Sequence, residues 1–171
     1  MWILKKLYEL KTGKKAPCYY DYSLATILKK PLRKFVAQVI APNCPFSNLC
    51  VSLYRLCGFK IGKNVFIGMK CYLDDMCFDL LTIGDNVIIS YGVYFACHGK
   101  KQKHLPITVD DGAYIGMRSI IIAKNKEKND NGIYIGKNSV VGAGTLVNMD
   151  IPSGKTAIGI PCKILKESCT V

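Results

Sequence analysis

The two histidines of the chain, His98 and His104, lie six residues apart in one segment. Histidine has an ordinary pKa close to neutral, so it acts as a general base without a large change in its surroundings. A zinc site made of histidines alone needs three of them. We therefore expect proton transfer without a metal at this segment, and we favour His98 as the base.

Three acidic residues, Asp74, Asp75 and Asp79, precede this segment and are candidates to orient the base. A carboxylate that binds one ring nitrogen leaves the other nitrogen free to accept a proton. Cys97 neighbours His98, but adjacent residues of a strand point to opposite faces. We therefore do not expect Cys97 to act as a nucleophile beside His98.

A six-residue repeat from residue 61 onward is the element that must position these side chains. Its large apolar markers form four triplets: Ile61, Ile67 and Leu73; Ile83, Ile89 and Phe95; Val109, Ile115 and Ile121; Ile135, Val141 and Val147. Glycine follows many of the markers, as a tight corner requires. This periodicity is the signature of a parallel β-helix and predicts four coils.

The repeat is interrupted only between triplets. The step is 10 residues from Leu73 to Ile83 and 14 residues from Phe95 to Val109 and from Ile121 to Ile135. Since successive coils stack about 4.8 Å apart, the three loops leave one corner side by side. Asp74, directly after Leu73, is then about one strand spacing from the stretch that holds His98, and this corner is the predicted site.

The segment before the repeat is basic and predicted to be helical. Residues 1–60 carry 11 Lys or Arg against two acids, and helices are predicted over residues 1–11, about 31–40 and about 47–56. We predict two regions: a basic helical N-terminal segment, 1–60, and a β-helix domain with a C-terminal tail, 61–171. The helices either cap the β-helix or place a basic face on an anionic membrane or a phosphate-bearing acceptor.

Composition narrows the class of protein. The net charge of +12 resides mostly in residues 1–60, so we expect no nucleic-acid partner. Apolar residues make up 50% of the chain, and no apolar run reaches the roughly 18 residues of a membrane span. Lys5 and Lys6 interrupt the apolar start, so we expect no signal peptide. The protein is expected in the cytoplasm, free or membrane-associated, with its nine cysteines reduced.

From about residue 59 to 166 the chain resembles the hexapeptide-repeat acetyltransferases, in particular the maltose, galactoside and capsular polysaccharide O-acetyltransferase branch. The resemblance rests on residues 61–68 (Ile-Gly-Lys-Asn-Val-Phe-Ile-Gly), Leu73-Asp-Asp, residues 83–89, His98 after Phe-Ala-Cys, residues 106–109, 114–116 and 141–145, and the tail from Ala157 to Lys163. It implies a mainly β fold, a left-handed parallel β-helix with short N-terminal helices. It also implies a homotrimer with acetyl-CoA between subunits.

The resemblance also implies roles for individual residues. His98 is the expected catalytic base, with Asp74 beside the acceptor and Asp75, Tyr114 and His104 as expected acceptor contacts. The expected acetyl-CoA contacts are Met117, Ala143 and Asn148 along the pantetheine arm and Lys163 and Lys166 at the phosphates. His104 is similar to a second substrate-binding histidine of serine acetyltransferases.

Two positions depart from the family pattern. Met149 replaces a lysine common beside the adenosine, and the polar residues 124–132 replace a brief Pro-Gly corner. The expected activity is direct transfer of an acetyl group from acetyl-CoA to a hydroxyl of a sugar or polysaccharide precursor. N-acetylation of an amino sugar and a non-enzymatic β-helix scaffold are the alternatives, and the acceptor's identity stays open.

Overall fold

The chain divides into two compact units, Met1–Phe35 and Val36–Val171. The computed structural model describes residues 2–13, 24–98, 104–123 and 132–165. The first unit holds two helices, α1 (Trp2–Thr12) and α2 (Leu24–Phe35). The second holds helix α3 (Ser47–Leu56) and the strands.

Thirteen short strands follow α3 in the described residues. They are β1 (Lys60–Ile61), β2 (Phe66–Ile67), β3 (Leu81–Ile83), β4 (Ile88–Ile89), β5 (Tyr94–Ala96), β6 (Ile107–Val109), β7 (Tyr114–Ile115), β8 (Ile120–Ile122), β9 (Ile133–Ile135), β10 (Val140–Val141), β11 (Leu146–Val147), β12 (Thr156–Ile158) and β13 (Lys163–Ile164).

The strands form three sheets, and each sheet joins strands from successive coils along the axis. The first sheet is β1-β3-β6-β9, the second is β2-β4-β7-β10-β12-β13, and the third is β5-β8-β11. Tyr72 of the first coil joins the third sheet through a bridge to Tyr94. Every pairing is parallel except that of β12 with β13. The second unit is thus a three-sided parallel β-helix.

The strand registers place the markers of the six-residue repeat above one another. Ile61 pairs with Ile83, Ile89 with Ile115, and Phe95 with Ile121. Nearly all markers are 0 to 3% exposed and form the core of the coil. The four coils predicted from the sequence are therefore present, and the chain adds the further pair β12 and β13.

Close stacking of the coils explains why glycine follows so many markers. A Cβ added at Gly136 would lie 2.5 Å from the backbone nitrogen of Ser153 in the next turn and 2.8 Å from its Cα. Real Cβ atoms do not approach backbone atoms so closely. The glycine is therefore required by the neighbouring coil.

Two of the three helices agree with the sequence prediction. Helix α1 matches the prediction over residues 1–11, and α3 matches that over residues 47–56. The predicted start of a helix at Pro31 is wrong, since α2 begins at Leu24 and continues through this proline. Proline removes one intrahelical hydrogen bond. Pro31 does not end the helix here. The helix continues to Phe35 and is followed by a π-helical turn, Val36–Ile40.

Helix α3 covers the first coil of the β-helix. It packs on β1, β2 and the turns that precede it, and buries Cys50, Val51 and Tyr54. The Tyr54 hydroxyl donates a hydrogen bond to the Cys71 carbonyl at 3.3 Å. Because α3 packs on strands, it belongs to the second unit. The predicted domain boundary between residues 60 and 61 lies at the change from helices to strands and stays a prediction.

No helix among the described residues is long and apolar enough to cross a membrane. The cytoplasmic location and the membrane contact expected for the N-terminal segment stay predictions.

Candidate active site

Asp74 lies at the start of the first loop and is 0% exposed. Its Oδ1 accepts a hydrogen bond from the Met76 backbone N–H at 3.1 Å, and its Oδ2 accepts one from the Cys97 N–H at 3.0 Å. A buried carboxylate needs such donors because it has lost its contact with water. The loop and the next coil together hold this charge in one position.

His98 binds the same carboxylate from the coil above. Its Nδ1 is 2.5 Å from Oδ2 of Asp74, while 41% of its side chain is exposed. With Nδ1 as the donor, Nε2 is the ring nitrogen that carries a free lone pair. The pair thus consists of a buried carboxylate that orients a solvent-reaching imidazole.

A short antiparallel contact closes the second loop at its base. His98 and His104 form a backbone bridge, and the Leu105 N–H donates to the Cys97 carbonyl at 2.8 Å. Both histidines are exposed. The structure therefore brings His104 next to His98, on the return arm of the loop.

Asp75 lies beside Asp74 and contacts a residue that the sequence analysis did not single out. The Gln38 side-chain amide donates to Asp75 Oδ1 at 3.1 Å and to the Leu73 carbonyl at 2.9 Å. Asp79 is exposed further along the loop. A lone glutamine far from the repeat carries no pattern that predicts this contact.

Two tyrosines form an aromatic platform on the outer face of the third sheet, and the sequence analysis missed both. Tyr72 and Tyr94 stack with ring centroids 4.1 Å apart and an interplanar angle of 9°. Tyr72 is two residues before Asp74, and burial, then the Asp74 carboxylate, raises the pKa of its hydroxyl. The signal was present in the sequence, because each tyrosine directly precedes an inward marker.

Cys97 is buried and donates its backbone N–H to Asp74, not its sulfur. Burial, and next the Asp74 carboxylate, raises the pKa of the Cys97 thiol to about 12. The nucleophilic form of cysteine is the thiolate. Cys97 is accordingly a protonated core residue at neutral pH.

The expected acetyl-CoA contacts lie elsewhere on the coil. Met117 and Ala143 are exposed in stacked turns between the second and third sheets, where the Gly144 N–H donates to the Met117 carbonyl at 2.8 Å. Asn148 directly follows β11, and Lys163 is exposed on β13. Lys166 lies outside the described residues.

Tyr114, an expected acceptor contact, lies on the outer face of the second sheet. It is 42% exposed, and its hydroxyl is 3.3 Å from the Ser90 Oγ. The structure therefore joins Asp74, Asp75, His98 and His104 at one corner, whereas Tyr114 is on another side of the coil.

Within one chain, the turns that hold Met117 and Ala143 lie far from His98. The third side of a coil runs from the Met117 turn to Ala123 at the loop corner, a span of about 20 Å at 3.3 Å per residue. Met117 and Ala143 thus lie at one edge of the third sheet and His98 at the other, whereas Asn148, which follows β11, is at the same edge as His98.

Comparison with known proteins gives the class to which this β-helix belongs. The family model described as the hexapeptide repeat of succinyl-transferase matches residues 58–95 and 106–148. Galactoside O-acetyltransferase from Escherichia coli (strain K12) is 33% identical over 126 residues, which cover 64% of this chain and 57% of that relative. The chain thus spans little more than half the length of this relative.

Solved structures share the fold over most of the chain. A hexapeptide-repeat acetyltransferase from Vibrio cholerae, complexed with acetyl coenzyme A, has a TM-score of 0.65 at 23% identity and covers 85% of this chain and 91% of that one. A maltose O-acetyltransferase from Clostridium difficile 630 has a TM-score of 0.63 at 23% identity, with 85% and 89% covered.

The fold and the repeat define a hexapeptide-repeat protein. The chain belongs to the hexapeptide-repeat family, and the relatives and structural neighbours that it resembles are named as acetyltransferases. The predicted fold class, a mainly β, left-handed parallel β-helix with short N-terminal helices, is confirmed.

Proposed function

We propose that this protein transfers the acetyl group of acetyl-CoA to a hydroxyl of a sugar or polysaccharide precursor, with His98 as the general base. The observation that carries the proposal is the 2.5 Å contact between His98 Nδ1 and the fully buried Asp74 carboxylate. A buried acid at this position holds the imidazole in one tautomer and one orientation. The part of the ring that reaches solvent is then available to a substrate.

The chemistry begins with the acceptor hydroxyl against Nε2 of His98. As the hydroxyl oxygen attacks the thioester carbonyl, Nε2 takes the hydroxyl proton, and the bond from Nδ1 to Asp74 stabilises the imidazolium that forms. The tetrahedral intermediate then collapses with cleavage of the carbon–sulfur bond. The departing CoA thiolate takes the proton from His98, so that acetyl ester and free CoA leave and the base is restored.

The acyl donor is acetyl-CoA, bound along the turns that hold Met117 and Ala143 and towards Asn148, Lys163 and Lys166. Two observations support this proposal. The turns are exposed and stacked, and a structural neighbour was solved with acetyl coenzyme A. Stacked turns offer a continuous edge of backbone groups suited to an extended pantetheine arm.

The acceptor lies at the loop corner, next to Asp75 and His104. The stacked Tyr72 and Tyr94 rings are on the same outer face of the third sheet and offer an apolar platform for a sugar ring. The relatives named for galactoside and maltose acetylation make a saccharide the acceptor class that we favour.

We further propose that the protein is a homotrimer whose sites form between copies. Two outer faces of the coil are apolar. Beyond the two stacked tyrosines the third-sheet row continues with Ile120 and Leu146, and the second-sheet row is Phe66, Ile88, Tyr114 and Val140. The first-sheet row is more polar, with Lys60, Thr82, Thr108 and Tyr134. A second copy on an apolar face would bring its CoA-binding turns to the His98 corner.

The direct test is release of free CoA from acetyl-CoA by the purified protein. Panels of neutral saccharides, amino sugars and small alcohols serve as acceptors, and the product is identified by mass and by its lability in mild base. Transfer to a saccharide hydroxyl, giving a base-labile ester, is expected. A base-stable amide on an amino sugar would replace O-acetylation by N-acetylation, and no acceptor-dependent CoA release would refute the enzyme.

A further inference from the structure

Gln38 reaches the candidate site from outside the repeat. Its single side-chain amide donates to two acceptors, the Leu73 carbonyl at 2.9 Å and Asp75 Oδ1 at 3.1 Å. These acceptors belong to the residues immediately before and after Asp74. The amide therefore braces the backbone on both sides of the carboxylate that holds His98.

The support behind this amide is rigid. Gln38 lies in the π-helical turn Val36–Ile40, where Ala37 is 0% exposed, and the following Ala41 is also fully buried. The Lys70 N–H of the first coil donates to the Pro42 carbonyl at 2.7 Å. The turn is thus docked on the coil, and π-helical turns of this kind occur frequently at functional sites.

The charge of the Asp75 carboxylate also requires a hydrogen-bond donor. The carboxylates of Asp74 and Asp75 are on adjacent residues, and Asp74 uses the N–H groups of Met76 and Cys97 together with His98. Gln38 supplies an uncharged donor to Asp75. A neutral amide steers one oxygen of Asp75 without neutralising its charge, so the acid keeps its strength as an acceptor for a substrate hydroxyl.

We propose that Gln38 is a positioning residue for the acceptor side of the site: it fixes Asp75 for an acceptor hydroxyl and keeps the Asp74 loop in register with His98. This inference rests on the proposed acetyl transfer for its kinetic consequences. The segment that precedes the repeat thereby takes part in selecting the acceptor.

The test compares three variants with the unmodified protein. Gln38→Leu removes the amide at similar size and is expected to raise the KM for the acceptor about 5- to 10-fold, the effect of losing one or two hydrogen bonds, with the KM for acetyl-CoA unchanged. Asn43→Leu is the matched control. It removes an amide of the same segment that donates to the Val39 carbonyl and accepts from Lys70 Nζ, and no hydrogen bond described for it reaches the loop of Asp74.

Gln38→Glu adds a pH signature that a purely structural role would not give. A protonated glutamic acid still donates one hydrogen bond, whereas its carboxylate repels Asp75. The ratio of variant to unmodified kcat/KM should therefore be nearest one at low pH and fall as the pH rises through the pKa of the new side chain. The same ratio for Gln38→Leu should be independent of pH.

An independent readout separates this inference from the proposed reaction. Since the chain has only two histidines, ring NMR signals of His98 and His104 can be followed without turnover. We expect the His98 signals to shift in Gln38→Leu and to stay in place in Asn43→Leu. If they shift in a protein that transfers no acetyl group, the reaction fails and the positioning stands. Unchanged His98 signals in Gln38→Leu, or equal shifts in both variants, would overturn it.

Discussion

His98 combines a fixed nitrogen with an exposed ring, and this combination gives the residue-scale prediction. Replacing His98 with Ala should lower turnover by ~10²-fold or more, because the variant loses the ring nitrogen proposed to take the proton. Steady-state kinetics with acetyl-CoA and the acceptor measures it. Binding of CoA, followed by calorimetry, should hardly change, since its proposed contacts lie along the Met117 and Ala143 turns.

His104→Ala and Asp74→Asn are the comparisons for this prediction. His104→Ala should act mostly on acceptor affinity, because His104 lies on the return arm of the loop. Asp74→Asn should fall between the two, since an amide keeps the size of the side chain and loses the charge that steadies the imidazolium. Near-normal turnover in His98→Ala together with complete loss in His104→Ala would give the base to His104.

The contact between Asp74 and His98 was predictable from the sequence because the repeat itself sets its geometry. Asp74 follows Leu73 and His98 follows Phe95 by three, so stacking the two markers places the pair within reach. Gln38 gave no such signal. It lies 37 residues before Asp75, outside any repeat, and only the docking of the π-helical turn brings it to the loop.

At the scale of elements, the coil depends on corners that have no room for a side chain. Gly136→Ala should destabilise the protein by about 3 kcal/mol, because the new Cβ meets the rigid backbone of Ser153 at 2.5 Å. Gly154→Ala, one residue beyond Ser153, is the matched control. It has φ of +69° and nothing within 4 Å of an added Cβ.

The control should cost only about 1 kcal/mol, the penalty for a left-handed backbone with a side chain. Urea unfolding followed by circular dichroism measures both variants. A loss in Gly136→Ala no larger than that in Gly154→Ala would show that adjacent coils move apart easily.

Strands were more predictable than helices in this chain because the same six-residue rule recurs in every coil, whereas the boundary of a helix depended on a single residue. The six-residue spacing repeats a local rule in every coil, so each marker supports the others, and all four coils appear as predicted. The boundary of α2 had one cue, Pro31, and the helix continues through it. A single proline removes one bond and does not decide where a helix begins.

At the scale of the whole molecule, the apolar rows on the second and third sheets predict that copies associate, and the family resemblance makes a trimer the expected assembly. Light scattering should give about three times the chain mass. Ile120→Asp places a charge in the third-sheet row and should yield folded monomers with turnover at least roughly tenfold lower, since an unpaired charge in an apolar interface costs several kcal/mol.

Thr108→Asp is the control, because Thr108 is the outward residue of the same coil on the first sheet. It should leave the trimer and the activity intact. A stable monomer of the unmodified protein that transfers acetyl groups at full rate would contradict both the assembly and the shared site.

The two ends of the β-helix are the places where another molecule could add to the stack of strands. A stack of parallel strands offers unpaired N–H and C=O groups at both ends, and nothing in the stacking rule limits its length to one molecule. Here α3 covers the first coil, and β13 turns back antiparallel along β12 at the last. Reversed polarity is a poor template for another parallel coil. The antiparallel strand therefore blocks the addition of a parallel strand to the second sheet, and removing it should favour end-to-end filaments.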